Sequence, residues 1–253
     1  MDSVARIREE KALIDDRDFS DNFRVNQDVL MELAPREESA DPEFRRDFFA
    51  LAEKLKSTDH PAILRLYSFG EHEGRLYRTW ANRPLFSVAS LATENSRERR
   101  HQIAQALEGF QLLTEIGISL ENYGANFLSF CFCDRTMFIA RYPFTSSSSP
   151  RCSGCTPNFV YFAVPPNYQV LGEKCFLIHL GVFIGFSLVG EFSFVKPPMF
   201  CKRDGVPIVR RELPLESPLK EVVDRLTQLD PEKNYPDLST GLQKAKEALL
   251  VDF

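Results

Sequence analysis

The spacing of apolar residues changes character several times along the chain, and each change marks an element. Residues 19–34, FSDNFRVNQDVLMELA, set the turn formers SDN and NQD between short apolar runs, which predicts two strands in a hairpin. Asp41-Pro42-Glu43 then opens a helix, since proline suits the first helical position and an acid suits the first turn. Phe44, Phe48, Leu51, Ala52 and Leu55 follow at helical spacing, and His60-Pro61 ends the segment. Residues 63–69 and 75–80 read as strands joined by EHEG, with glycine available for the turn. Residues 85–92 predict a short helix. Residues 98–114 predict a long one, with a stripe of Ile103, Ala106, Leu107, Phe110 and Leu113. Two more strands are expected at 127–132 and 137–142 about the turn Cys133-Asp134-Arg135-Thr136. Residues 145–158, TSSSSPRCSGCTPN, form a polar loop, and helices follow at 175–190, 219–229 and 238–250. No internal repeat is visible.

This order predicts an α+β fold in two lobes. Residues 1–18 form a charged lead-in segment. Residues 19–82 form a small antiparallel-sheet lobe with one main helix, and 83–253 a mainly helical lobe. Over 253 residues, 43% apolar and 26% charged composition is enough for a substantial core. The net charge of −5, with basic clusters such as Arg97, Arg99, Arg100 and Arg210, Arg211 flanked by acids, argues against nucleic-acid binding. The most apolar run, 175–190, falls short of the roughly 20 residues that span a bilayer and contains His179 and three glycines. It is expected to be a buried helix, with no direct membrane insertion.

Six cysteines, without an apolar leader in MDSVARIREEKALIDD, point to a reducing, cytoplasmic compartment. Four of them form Cys131-x-Cys133 and Cys152-x-x-Cys155, a set that can supply four thiolates to zinc. The simpler reading makes Cys131 and Cys133 small hydrophobes on one face of a strand and leaves Cys152 and Cys155 in a loop.

Several strings, in this order, resemble a eukaryotic-type Ser/Thr protein kinase domain. Asp59-His60-Pro61-Ala62-Ile63-Leu64-Arg65-Leu66-Tyr67 is similar to the segment between helix C and the fourth strand, and residues 69–77 to the hairpin after it. Residues 103–110, continuing through Ile116-Gly117-Ile118, resemble the helix that leads into the catalytic loop. Thr156-Pro157 and Tyr161-Phe162-Ala163 resemble the end of an activation segment. Leu180-Gly181-Val182 with Gly190 resembles helix F, and Leu229-Asp230-Pro231 the "LDP" near the end of the domain. The resemblance spans about 20–250 and implies a protein-kinase-like fold.

It also implies where the phosphotransfer groups would fall, and there the chain departs from the family. Such enzymes need a glycine-rich loop, a Lys–Glu pair, a catalytic Asp and metal ligands. None of the 12 glycines precedes Gly70. Where the family has "VAIK", this chain has Val29-Leu30-Met31-Glu32, and Leu51 takes the place of the helix-C Glu. "HRDLKPEN" becomes Leu120-Glu121-Asn122-Tyr123-Gly124-Ala125-Asn126 with one residue fewer, so Asn122 replaces the catalytic Asp while Asn126 stays in place. "DFG" falls on Arg141-Tyr142-Pro143, "APE" on Val164-Pro165-Pro166, and the Asp opening helix F on Phe176. The usual Arg after "LDP" is replaced near Asn234-Tyr235.

The pattern reads as a degenerate pseudokinase. It would not be an enzyme, would need no cofactor, and would bind protein partners, an active kinase or another signalling protein, as a scaffold or allosteric regulator. Two other readings stand beside it. One is an unconventional nucleotide- or phosphate-binding enzyme, with Arg141 on a phosphate and Asn126 with Asp134 or Glu121 on a metal. The simpler account of Arg141 is an ion pair with Glu32 across the cleft. The other is a zinc- or redox-responsive module built on the four cysteines. If the cysteines are structural, metal analysis of protein purified without added zinc returns a stoichiometry near zero; one zinc per chain would establish the site.

Overall fold

The computed structural model describes residues 21–24, 29–81, 86–87, 96–118, 120, 130–133, 136–139, 173–189, 213–228, 230 and 232–251. Strands β1 (Asp21–Arg24) and β2 (Val29–Leu33) make the first expected hairpin. Strands β3 (Leu66–His72) and β4 (Arg75–Ala81) make the second. The sheet order β1-β2-β4-β3 puts β4 beside β2, so the second hairpin folds back onto the first. The β3–β4 reversal is tighter than EHEG suggests. Only Glu73 and Gly74 turn, at φ 49° and 75°, a left-handed pair whose twist suits antiparallel strands.

A five-residue helix, α1 (Arg36–Ala40), was not expected, because so short a segment carries no apolar stripe. Ser39 docks it: its hydroxyl donates to the Pro35 carbonyl at 2.8 Å and accepts the Leu76 N–H at 3.1 Å. The main helix of this lobe, α2 (Pro42–Ser57), begins as its sequence predicts. The Asp41 carboxylate accepts the Glu43 N–H at 2.9 Å, proline occupies the first position, and Lys54 and Lys56 lie in the last turn. Its buried stripe is Phe48, Leu51, Ala52 and Leu55, and the helix packs on β3.

The other lobe is built on α3 (Arg97–Glu115), α4 (Glu173–Val189), α5 (Leu219–Leu226) and α6 (Leu238–Leu250). Ser96 caps α3 by accepting the Arg99 N–H. Ile116-Gly117-Ile118 closes it in a Schellman turn: Gly117 N–H bonds Thr114 O, Ile118 N–H bonds Leu113 O, both at 2.9 Å, and Gly117 takes φ 95°. Helix α5 stops at Leu226, short of the expected 229. Asn234 Nδ2 donates to the carbonyls of Leu226 and Gln228, at 2.8 and 3.2 Å, and so satisfies the end of the helix from outside.

A small sheet of β5 (Phe86–Ser87), β6 (Phe130–Cys133) and β7 (Thr136–Ile139), in that order, lies between the lobes, with β7 on α3. Here the expectation of a helix at 85–92 is corrected at Phe86 and Ser87, which pair with Phe132 and Cys131. The backbone groups offered by β6 outweigh the local helical spacing. The rest of 85–92 lies outside the described residues, as does the loop 145–158.

One contiguous core crosses both lobes, running from Leu51, Leu55, Leu66 and Trp80 through Phe110 and Leu113 to Phe183 and Leu242. The apolar run at 175–190 is the buried helix expected, and among the described residues no helix is long and apolar enough to cross a membrane. Glycine lets α4 and α5 meet closely: a Cβ on Gly181 would lie 2.7 Å from Leu226 Cβ and 2.8 Å from Thr227 Cγ2. Gly181→Val is therefore expected to lower unfolding stability by about 1–3 kcal/mol through overpacking, measured by urea denaturation.

Candidate functional site

Side chains alternate across a strand, so Glu32 points to the opposite face of β2 from Met31 and Leu33, which are both buried. The antiparallel register sets Glu32 opposite Arg78 and Leu30 opposite Trp80, bringing Glu32, Arg78 and Trp80 onto one face of the central pair. The Glu32 carboxylate is bonded twice through one oxygen. Arg78 Nε donates to Oε2 at 2.6 Å, and Trp80 Nε1 donates to the same atom at 2.7 Å. The Arg78 side chain is 2% exposed and that of Glu32 17%. The guanidinium also stands over the indole, 5.0 Å from the ring centroid.

Each contact answers a cost set by burial. A guanidinium removed from water needs a carboxylate, a buried carboxylate needs donors, and a buried indole N–H needs an acceptor. The three satisfy one another, with a cation–π contact added. The result is a closed polar unit inside a β-sheet. It leaves Glu32 with two donors already in place and offers no cation to an incoming phosphate from this position.

Leu51, on α2, is 3% exposed and belongs to the same core cluster as Trp80. Glu53, two positions on, faces solvent. An apolar side chain thus stands at the place to which the kinase resemblance assigns the acid of the strand–helix ion pair. Its partner position holds the acid instead, tied within the sheet.

The other sequence-derived positions divide between described and undescribed residues. Leu120, at the head of the LENYGAN segment, is buried. Asn122, Asn126 and Arg141 lie outside the described residues, so the expected Glu32–Arg141 pair has no description; the cation on Glu32 among the described residues is Arg78. Phe176, where the resemblance places an Asp, is 4% exposed and packs edge-on against Phe110, centroids 5.0 Å apart. Asn234 and Tyr235, in place of an expected Arg, form a turn in which Asn234 Oδ1 accepts the Tyr235 N–H at 2.7 Å. Arg225 stands over the Tyr235 ring at 4.5 Å. Burial holds that phenol above its ordinary value, against the opposing pull of Arg225 and Lys244.

Of the zinc candidates, Cys131 and Cys133 lie in β6, paired in register with Phe138 and Thr136. Cys152 and Cys155 lie outside the described residues. Among the described residues, no three His, Cys, Asp or Glu side chains come together as a metal site.

Neither Arg78 nor Trp80 stands out in the sequence as a partner for Glu32. The available signal is the alternation Leu76, Arg78, Trp80 along one strand, in which a charged residue falls among apolar ones. Pairing it with position 32 requires the cross-strand register, which composition and periodicity do not supply.

No family model matches the chain, and no curated protein matches it. Solved structures do. The kinase domain of PknI from Mycobacterium tuberculosis is 14% identical, with a TM-score of 0.55, over 90% of this chain and 89% of that one. Rad53, solved in complex with AMP-PNP, is 15% identical, with a TM-score of 0.62, over 98% of this chain and 64% of that one. At such identities the likeness establishes the fold: a small antiparallel-sheet lobe with helices, joined to a mainly helical lobe, as in protein kinase domains.

Removing one member of the polar unit leaves the others buried without it. Arg78→Met is expected to cost roughly 3–5 kcal/mol, and the double variant Glu32→Leu/Arg78→Met to recover most of that loss. A double-mutant cycle in urea checks it; additive single losses would show that the pair is not coupled.

Proposed function

We propose that this chain is a kinase-fold protein that does not transfer phosphate and acts by binding protein partners, as a scaffold or an allosteric regulator in signalling. The observation that carries the reading is the Glu32 carboxylate, held by Arg78 and Trp80 at the strand position to which the kinase resemblance assigns a phosphate-binding lysine. A carboxylate there repels the charge that the lysine attracts.

Two described positions support the same reading. Leu51 is buried in the core where an acid would have to pair with that lysine, and Phe176 fills a further acid position with an aromatic ring packed on Phe110. In this reading Glu32, Leu51, Asn122 and Arg141 are the altered catalytic positions, Asn126 is left in register without its partners, and the lobes divide between residues 82 and 83. An Asn at 122 has no carboxylate to accept a hydroxyl proton, and an Arg at 141 replaces a ligand for a cation with a cation. A protein so changed retains a folded surface, with α2 and the helical lobe available to a partner that is itself a signalling protein. The fold of the matched kinase domains is compatible with that role.

Trp80 is the single tryptophan of the chain and sits in the polar unit, so its emission reports directly on the surroundings of Glu32 and Arg78. ATP with magnesium or manganese is expected to leave both the Trp80 emission and the melting temperature unchanged. A metal-dependent rise in melting temperature, accompanied by a change in emission, would overturn the proposal in favour of an unconventional nucleotide-binding enzyme.

A further inference from the structure

Among the described residues, one backbone joint between the lobes is built on a histidine turn. After α2, the chain turns at His60-Pro61 and runs into Ala62 and Ile63, which are both buried. The Ala62 carbonyl accepts the N–H of Ile139 in β7 at 2.7 Å, and Ile63 pairs with Ile139 as an isolated parallel bridge. The small lobe is thereby hydrogen-bonded through its backbone to the sheet of the other lobe. A second tie runs alongside, from Lys54 Nζ to the carbonyl of Ile116 at 2.9 Å.

The shape of the turn depends on the His60 ring. Its Nδ1 accepts the Ala62 N–H at 3.1 Å, an arrangement open only to the imidazole that carries its proton on Nε2. The Ile63 N–H bonds back to the His60 carbonyl at 3.0 Å and completes the turn. Helix α3 closes over this ring through Gly109, where a Cβ would lie 3.3 Å from Nδ1, 3.4 Å from Ala62 Cβ and 2.8 Å from Ile139 Cδ1. Ring, turn, β7 and α3 therefore meet at one point.

We propose that His60 is a proton-operated latch on the joint between the lobes: neutral, it holds Ala62 in position for the bond to Ile139, and protonated, it releases that bond. Once Nδ1 carries a proton it can no longer accept the Ala62 N–H, and two donors face each other. The turn must then move, and the carbonyl of Ala62 moves with it.

The charged groups around the ring decide whether this happens in an accessible range. Asp59 flanks it in its own segment, and Glu108 faces it from α3, with Lys246 of α6 paired to Glu108 at 3.6 Å. The β7 contribution is the apolar side chain of Ile139. Burial holds the imidazole below its ordinary 6.5, against the attraction of Glu108 and then of Asp59. The folded chain therefore binds this proton less tightly than the unfolded chain. The stability it contributes is complete above pH 6.5 and is lost as the pH falls through the lowered folded value. Acidification thus loosens this contact, and the latch works whether or not the cleft takes a nucleotide.

Amide hydrogen exchange of the full chain between pH 7.5 and 5.5, expressed as protection factors, tests the latch. In the wild type, protection at Ile139 is expected to fall on acidification, by at most about tenfold across this range. In His60→Asn, whose amide oxygen still accepts the Ala62 N–H but does not titrate, protection at Ile139 should stay constant across this range. In His60→Ala it should be low at both ends. Ala245, in α6, serves as the control for global opening. An equal fall at Ile139 and Ala245, or the same pH profile in wild type and His60→Asn, overturns the proposal.

Discussion

A charge removed from water must find its opposite, and in this chain that requirement is met inside one strand pair. Arg78 is almost wholly enclosed, so its guanidinium commits the Glu32 carboxylate, and the carboxylate in turn satisfies the indole of Trp80. The register Glu32↔Arg78 is thus held by electrostatics as well as by backbone bonds. A slip of one residue would turn Glu32 to the other face and leave Arg78 buried without it. The apolar core, which takes in Trp80 and Leu51, is organised around that fixed point.

In kinases of known mechanism, an ion pair between strand and helix links helix position to the nucleotide site. Here the acid Glu32 is tied within the sheet, and α2 is held by other means. Its apolar stripe enters the core, Arg45 bonds the Ser39 carbonyl and the Glu71 carboxylate at its start, and Lys54 reaches the Ile116 carbonyl at its end. The Arg45–Glu71 contact is exposed and adds little on its own, although it holds the Glu71 carboxyl below its usual range. What fixes the helix is mainly burial. Its placement therefore needs no ligand, which suits a protein proposed to work by presenting a surface.

Much of this fold was legible in the sequence because its signals are local. Asp41-Pro42-Glu43 announces a helix start that the structure confirms by a bond at 2.9 Å. The run 175–190 could be placed as a buried helix by its length and composition. The failures have physical causes of the opposite kind. Phe86 and Ser87 took their conformation from β6, a distant partner, and α1 was too short to have a period. At the candidate site, the altered residues Glu32 and Leu51 were visible from the resemblance. Their surroundings were not, since Arg78 and Trp80 reach Glu32 only through a register fixed by folding.

The closed unit of Glu32, Arg78 and Trp80 also limits what can stand at position 32. A lysine there would place two cations opposite each other and strip the indole of its acceptor. An acid at 51 would bury a carboxylate in an apolar cluster. Either substitution alone is a step down in stability. The bonds that steady the small lobe therefore tie its sequence positions together: a change at 32, 78 or 80 is tolerated only with a matching change at another of the three.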